Sequence, residues 1–454
     1  MKKKILAMLL TIVMLSSLYV QTASADFQPE LPSLYKVFSK YFMFGGFQAM
    51  NDYIRDDVVG QMLRHHYISW SPQNEMKPQY LFSASASAAA YNAAVNAEYE
   101  SEEERQAAID KSNRTVVLAS TSSQEAFLQR VRELNSSRPE DEKIKVKMHT
   151  LLWHNMTPNE FFRNGFSSSG DYASPDVMLD RIESYIKQVF ERFAPYKDVI
   201  YSWDVVNEAI DDFTGHIRNE NDYQTSNWGR IFRRPDLKGD ERLYEESKYV
   251  RHAFAMARKY AKQFGLDWSF VYNDFFDSDK SYEPKRTSTY KMMKWIYDEF
   301  KAEGSENAFV VGFQGRHATA LDINVFKETY NLYSQVCDRV QFTEADTRCD
   351  LILNPDYDPN SIYAKYYLDV ENEIPNLDWD RNHITSRVMI QEPGWQASWA
   401  NLPKYQMAQA DWLADLFDFL LENSVGNGGK IELYAVDGLH DNSTFNRNTG
   451  CTMF

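Results

Sequence analysis

Short runs of β-branched and aromatic residues alternate along this chain with segments whose apolar positions recur every three or four residues. The runs predict buried parallel strands and the recurring segments predict amphipathic helices. Strand-like runs cover residues 41–47, 67–70, 144–153, 199–206, 268–274, 309–314, 339–344 and 431–436, with a shorter one at 115–119. Helical patterns cover 124–134, 244–264, 284–303, 322–336 and 403–421. In another, Met178, Ile182, Tyr185, Ile186, Val189, Phe190 and Phe193 form one apolar stripe. Gly265 and Gly304 stand where two of these helices should stop. Eight principal strands with mostly helical connections predict α/β architecture, a closed (β/α)8 TIM barrel in one domain. An open doubly wound sheet is the weaker alternative, because no GxGxxG follows an early strand. Residues 83–110, rich in Ala, Ser and Glu, interrupt the pattern after the second strand. They read as a partly helical insertion lying on the surface or packed lightly against the body, and residues 347–401 as a long irregular loop.

Residues 1–25 stand apart from this pattern. Lys2-Lys3-Lys4, an apolar run from Ile5 to Val20 and the small residues Ala23-Ser24-Ala25 read as a signal peptide. The expectation is a secreted, extracellular protein of residues 26–454, and no later stretch is apolar enough to cross a membrane. Its formal charge of −16 becomes −19 once the three leader lysines are gone. That balance disfavours nucleic acid and anionic lipid as partners and fits a self-repelling monomer. Cys337, Cys349 and Cys451 are too few for a disulfide framework. No CxxC or HExxH occurs, and neither His65-His66 nor His149 with His154 has the i, i+4 spacing of a zinc pair. No metal and no cofactor are expected.

Polar residues gather where the predicted strands exit. The second strand ends in Asn74 and Lys77, the third in His149 and Trp153, and the fourth in Asn207 and Glu208. The fifth ends in Asn273 and Asp274, the sixth in Gln314, and the seventh in Glu344 and Asp346. A barrel brings such ends together at its C-terminal face. Two carboxylates among hydroxyl-reading side chains and aromatic platforms are what glycoside hydrolysis requires. One carboxyl must give a proton to the leaving oxygen while the other is ionised, and the anion on one raises the pKa of its neighbour.

The strings FGG, QNEMKP, MHTLLWH, WDVVNEA, VYNDF, VGFQG and QFTEAD occur in this order. Through them the chain resembles glycoside hydrolase family 10 from about Tyr41 to Asp437. The resemblance implies a retaining endo-β-1,4-xylanase acting on xylan or xylo-oligosaccharides, with Glu208 as acid/base and Glu344 as nucleophile. It further implies carboxyl oxygens about 5–5.5 Å apart. Asn207 would hold a sugar 2-hydroxyl, and His149 and Trp153 would line the same subsite. Asn74 and Lys77 would grip the glycone sugars, Asn273 would lie near the acid/base, and Asp346 would sit behind the nucleophile.

The chain also departs from that family. Gln73 stands where the family has Glu, and Met156 where it has Gln. In Gln314-Gly315-Arg316-His317, either Arg316 or His317 should take the place of the family histidine that touches the nucleophile. Tyr434-Ala435 replaces a Trp-Gly pair, so Tyr434 is expected to stack on the sugar and bond it through its hydroxyl. A second platform is either absent or falls to His440 or Phe445. The insertion at 83–110 or the segment 27–39 should cover the flank of the eighth strand. These departures leave two alternatives: a barrel glycosidase acting on another β-glycan, and a catalytically weak xylan-binding homologue.

Overall fold

Gly45 and Gly46 sit where the first strand packs closely against its neighbours. A Cβ on Gly45 would lie 2.6 Å from the Ser69 carbonyl oxygen, and one on Gly46 would lie 2.6 Å from the Tyr67 ring. The structure, a computed structural model, describes residues 29–275, 282–318, 323–348 and 403–437. Its strands are β1 (Met43–Gln48), β2 (Ser69–Pro72), β3 (Lys145–Trp153), β4 (Ile200–Asn207) and β5 (Ser269–Asp274). They continue with β6 (Phe309–Phe313), β7 (Arg316–Ala318), β8 (Arg339–Arg348) and β9 (Ile431–Asp437). Every ladder is parallel, β1 pairs with β2 and β9, and a β6–β8 pairing closes the ring. The short β7 continues the β6 stave after a break at Gly315, whose φ is +73°. It meets β8 at a higher level, with Arg316 opposite Asp346. The result is an eight-staved (β/α)8 barrel.

The predicted helices wrap this ring. Pro175–Phe193 starts at Ser174, whose side chain accepts from the Val177 amide, and buries every member of the apolar stripe. Its Phe190 packs on Trp203 of β4 and on Trp268, with ring centroids 5.8 Å and 5.1 Å apart. Lys248–Phe264 ends in left-handed Gly265, as the pattern predicts. The helix expected over 244–264 is in fact two, Gly239–Glu246 and Lys248–Phe264, broken at Ser247.

The insertion is more regular than its composition suggests. Ala84–Asn96 and Glu102–Arg114 form a helical hairpin, capped by Ser83 and Ser101, with Ser87 as its one buried residue. It docks through Asn113, which accepts from the Gly165 amide and from Arg181. That places it beside β3, away from β9. The flank of β9 is covered instead by the N-terminal helix Leu34–Phe38. Its Phe38 stacks on Phe42, Phe44 and Phe417, the last from the helix Pro403–Glu422. Residues 115–119 do not form a strand. They make a single bridge, Phe82 to Leu118.

Tyr434 also departs from expectation. Its ring lies 5.1 Å from Phe417, 5.8 Å from Phe44 and 5.8 Å from Phe342, outside the ring of strands. Strand alternation then turns Asp437, three residues on, the opposite way. Replacing Tyr434 with Ala is expected to cost about 3–5 kcal/mol of stability in denaturant titration. Activity per folded molecule should be retained, which a sugar platform could not manage. His440, Phe445, Cys349, Cys451, residues 1–28 and most of residues 347–401 lie outside the described residues. Cys337 is buried.

Candidate active site

Register assembles the site. Trp153 of β3 lies opposite Asn207 of β4, and Asn207 lies opposite Asn273 of β5. Gly312 of β6 comes next to Asn273, where a Cβ would stand 2.7 Å from the Asn273 Oδ1. The missing side chain there makes room for the amide. One residue beyond β4 the backbone turns left-handed at Glu208, with φ +54°. Non-glycine residues adopt that conformation at a cost, and such strain concentrates at functional positions.

Glu208 is buried and held from two sides. Trp153 donates its indole N–H to Oε2 at 2.8 Å, and Gln314 donates to Oε1 at 2.6 Å. His154 Nδ1 lies 3.9 Å from Oε2. Burial alone would raise the Glu208 pKa, yet these neighbours and Lys285 hold it below the usual value. Burial drives His154 down to about 4, so at neutral pH the uncharged donors and Lys285 carry that effect. The free site therefore keeps Glu208 ionised.

Glu344 is also buried. Asn273 Nδ2 donates to Oε1 at 3.1 Å and Arg316 Nη2 donates to Oε2 at 2.7 Å. The hydroxyl of Thr343 donates to Asn273 Oδ1 at 2.7 Å, which fixes that amide with its nitrogen towards Glu344. The same nitrogen donates to Asn207 Oδ1 at 2.9 Å, and Gln314 Nε2 reaches Asn207 Oδ1 at 3.4 Å. Three amides thus connect the two carboxylates in one relay. None of these bonds uses Asn207 Nδ2, which is left for a ligand.

Around this pair, Lys77 donates to Asn74 Oδ1 at 2.9 Å and its ammonium lies 4.6 Å over the Trp153 ring. Burial lowers the Lys77 pKa, against the pull of Glu344 and Glu208. His149 bonds Asp204 through Nδ1 at 2.8 Å, and the same nitrogen lies 4.0 Å from Glu344. Asp204 is fully buried and also ion-paired with Lys147. Burial opposes its ionisation, but Lys147 and His149 outweigh it and lower its pKa.

Eight of the sequence-predicted residues thus converge directly: Glu208, Glu344, Asn207, Asn273, Gln314, Trp153, His149 and Arg316. Asn74 and Lys77 join them through the Trp153 ring. Asn273 lies beside Glu208 as expected, its carbonyl accepting from the Glu208 amide at 2.9 Å, and its side chain also bonds Glu344. Two expectations change. His317 does not reach the nucleophile. It is buried against Phe326 and Trp412, with ring centroids 5.0 Å and 4.9 Å away. Tyr434 belongs to the packing behind the barrel. Asp274 binds Lys285 at 2.7 Å and accepts from the Tyr272 hydroxyl at 2.6 Å, a supporting role.

Sequence reasoning missed Asp437, Asp204 and Lys147. Arg316 Nη1 bonds Asp346 at 2.9 Å and also pairs with Asp437, while Gln73 reaches Asp437 at 3.4 Å. Asp437 is the polar end of β9, so the rule that found the other strand ends applies to it equally. Asp204 and Lys147 lie inside strands, where only pairing across the barrel marks them. Among the described residues no cluster of His, Cys, Asp and Glu suits a metal ion. No helix there is long and apolar enough to cross a membrane.

A model of glycosyl hydrolase family 10 matches residues 33–443. A putative endo-1,4-β-xylanase of Caldicellulosiruptor saccharolyticus is 34% identical over 202 residues, covering 44% of this chain and 57% of that protein. Endo-1,4-β-xylanase A of the same organism is 31% identical over 238 residues, covering 50% and 58%. The chain thus spans less than two thirds of the length of these relatives. The solved structure of an N-terminal endo-1,4-β-D-xylanase from Clostridium thermocellum, complexed with xylohexaose, superposes with a TM-score of 0.58. That match has 20% identity and covers 95% of this chain and 65% of the other, a likeness of fold.

Proposed function

Because the chain belongs to glycosyl hydrolase family 10, we propose that it is a retaining endo-β-1,4-xylanase with Glu208 as acid/base and Glu344 as nucleophile. One observation carries this reading. Two buried carboxylates stand at the end of β4 and on β8, separated in the ring by β5 and β6, joined by the Gln314–Asn207–Asn273 relay and differently held. Glu344 has the Arg316 guanidinium against it, a charged donor on the attacking carboxylate. Glu208 is held by the neutral donors Trp153 and Gln314.

In the first step Glu344 attacks the anomeric carbon. The bond to the leaving sugar breaks as the Glu208 proton passes to the glycosidic oxygen, and a glycosyl ester forms. In the second step Glu208 takes a proton from water, the water oxygen attacks the same carbon, and the ester bond to Glu344 breaks. A bound sugar chain excludes water and leaves Glu208 facing the Glu344 charge. Both changes favour the protonated carboxyl over the resting anion. Asn207 Nδ2 is free to hold the 2-hydroxyl, and Asn74 with Lys77 binds the glycone sugars.

Xylan as substrate is supported by the names of the relatives, and export by the leader-like residues 1–25. Purified protein on linear xylan tests the first. The expected result is a fall in viscosity well ahead of reducing-sugar release, with the β-anomer formed first by NMR. Faster cleavage of cello- than xylo-oligosaccharides overturns the substrate assignment, and an α-anomer overturns retention. The N-terminal sequence of protein recovered from culture medium tests export, with Asp26 expected as the first residue.

A further inference from the structure

Arg316 carries one positive charge and meets three carboxylates. Its Nη2 bonds Glu344 at 2.7 Å, while Nη1 is shared by Asp346, at 2.9 Å, and Asp437. Asp437 is 1% exposed and closes β9. Resting on the assignment of Glu344 as nucleophile, we infer that Asp437 is a positioning residue that competes with Glu344 for the charge of Arg316. It thereby sets how strongly the reacting carboxylate is neutralised.

The two chemical steps ask opposite things of that charge. Attack by Glu344 is faster when its carboxylate is less neutralised, whereas expulsion of Glu344 from the ester is faster when a cation stabilises the departing anion. Asp437 takes the nitrogen that Glu344 does not use, so it acts by charge and leaves the Glu344 contact in place. The groups facing it come from several elements. Among the described residues they include Arg316 of β7, Glu344 and Asp346 of β8, Lys77 beyond β2, and the buried Tyr67 phenol ahead of β2. Gln73 adds a neutral donor at 3.4 Å.

Burial pushes the Asp437 carboxyl up to about 6, with Arg316 pulling down and Glu344 and Asp346 adding to the rise. The sign follows. Above that pH Asp437 is an anion and draws on Arg316, which frees Glu344 to attack. Below it Asp437 is neutral and no longer draws on Arg316, which still bonds Glu344 and Asp346. Its influence on the first step therefore grows as pH rises through about 6.

The test is kcat/KM for an aryl β-xylobioside, which reports the first step, across pH for wild type, Asp437→Asn and Asp437→Glu. The ratio of wild type to Asp437→Asn is expected to climb to about tenfold between roughly pH 5 and pH 8. The Glu variant should restore the wild-type slope. If the Asn protein fails to fold by circular dichroism, Asp437→Ser supplies the neutral side chain. A ratio that is constant with pH, whatever its size, makes Asp437 merely structural and overturns the inference. A wild type that does not release the aryl group sinks the catalytic reading itself, and the two failures are told apart by that control.

Discussion

Glu344→Gln is expected to lower kcat on xylan and on aryl xylobiosides alike, by at least about 10⁴-fold, as loss of a covalent nucleophile does elsewhere. The substitution keeps the side-chain volume and its amide still fits the Asn273 contact. Arg316 keeps Asp346 and Asp437 as partners, so the fold should survive. Thermal unfolding within a few degrees of wild type would establish that the loss is chemical. A residual rate above about one hundredth of wild type would mean that Glu344 is not the attacking group.

The second large effect separates the two steps. Glu208→Gln should cost about 10²–10⁴-fold on xylan, whose leaving hydroxyl needs a proton. On a dinitrophenyl xylobioside the first step needs no such help, because the phenolate leaves unaided. Loss of the general base then slows only the second step, and the glycosyl-enzyme accumulates. The expected record is a burst of one phenolate per enzyme followed by a slow steady state. Equal losses on both substrates with no burst would reassign Glu208 to binding.

Together the variants probe a site that was largely legible before any coordinates. Glu208 and Glu344 could be named because a carboxylate at the end of an apolar strand is costly unless it is used. Asn207, Asn273, Gln314, His149 and Trp153 followed by the same logic, strand by strand. The logic failed where facing matters. Tyr434 looked like a sugar platform because Tyr434-Ala435 stands where the family has a Trp-Gly pair. A register shift between Val340/Ile431 and Gln341/Leu433, however, places an extra residue on β9 at Glu432. Such a shift leaves no mark in the sequence, and one residue of slip turns every later side chain to the other face. The choice between Arg316 and His317 had the same character. Left-handed Gly315 and the pairing of Arg316 with Asp346 decide it, sending the guanidinium inward and His317 into the packing around Trp412.

By itself the sequence determined the order of strands and helices, the closed barrel and the two carboxylates. These rest on local periodicity and on the solvation cost of charge, both of which are written residue by residue. Only the tertiary structure decided what touches those carboxylates: the three-amide relay, the turn of Asn273 towards Glu344, and the sharing of Arg316 among three acids. Those contacts join residues 28 to 121 positions apart. They exist because the staves close in one register, and that register is a property of the whole ring.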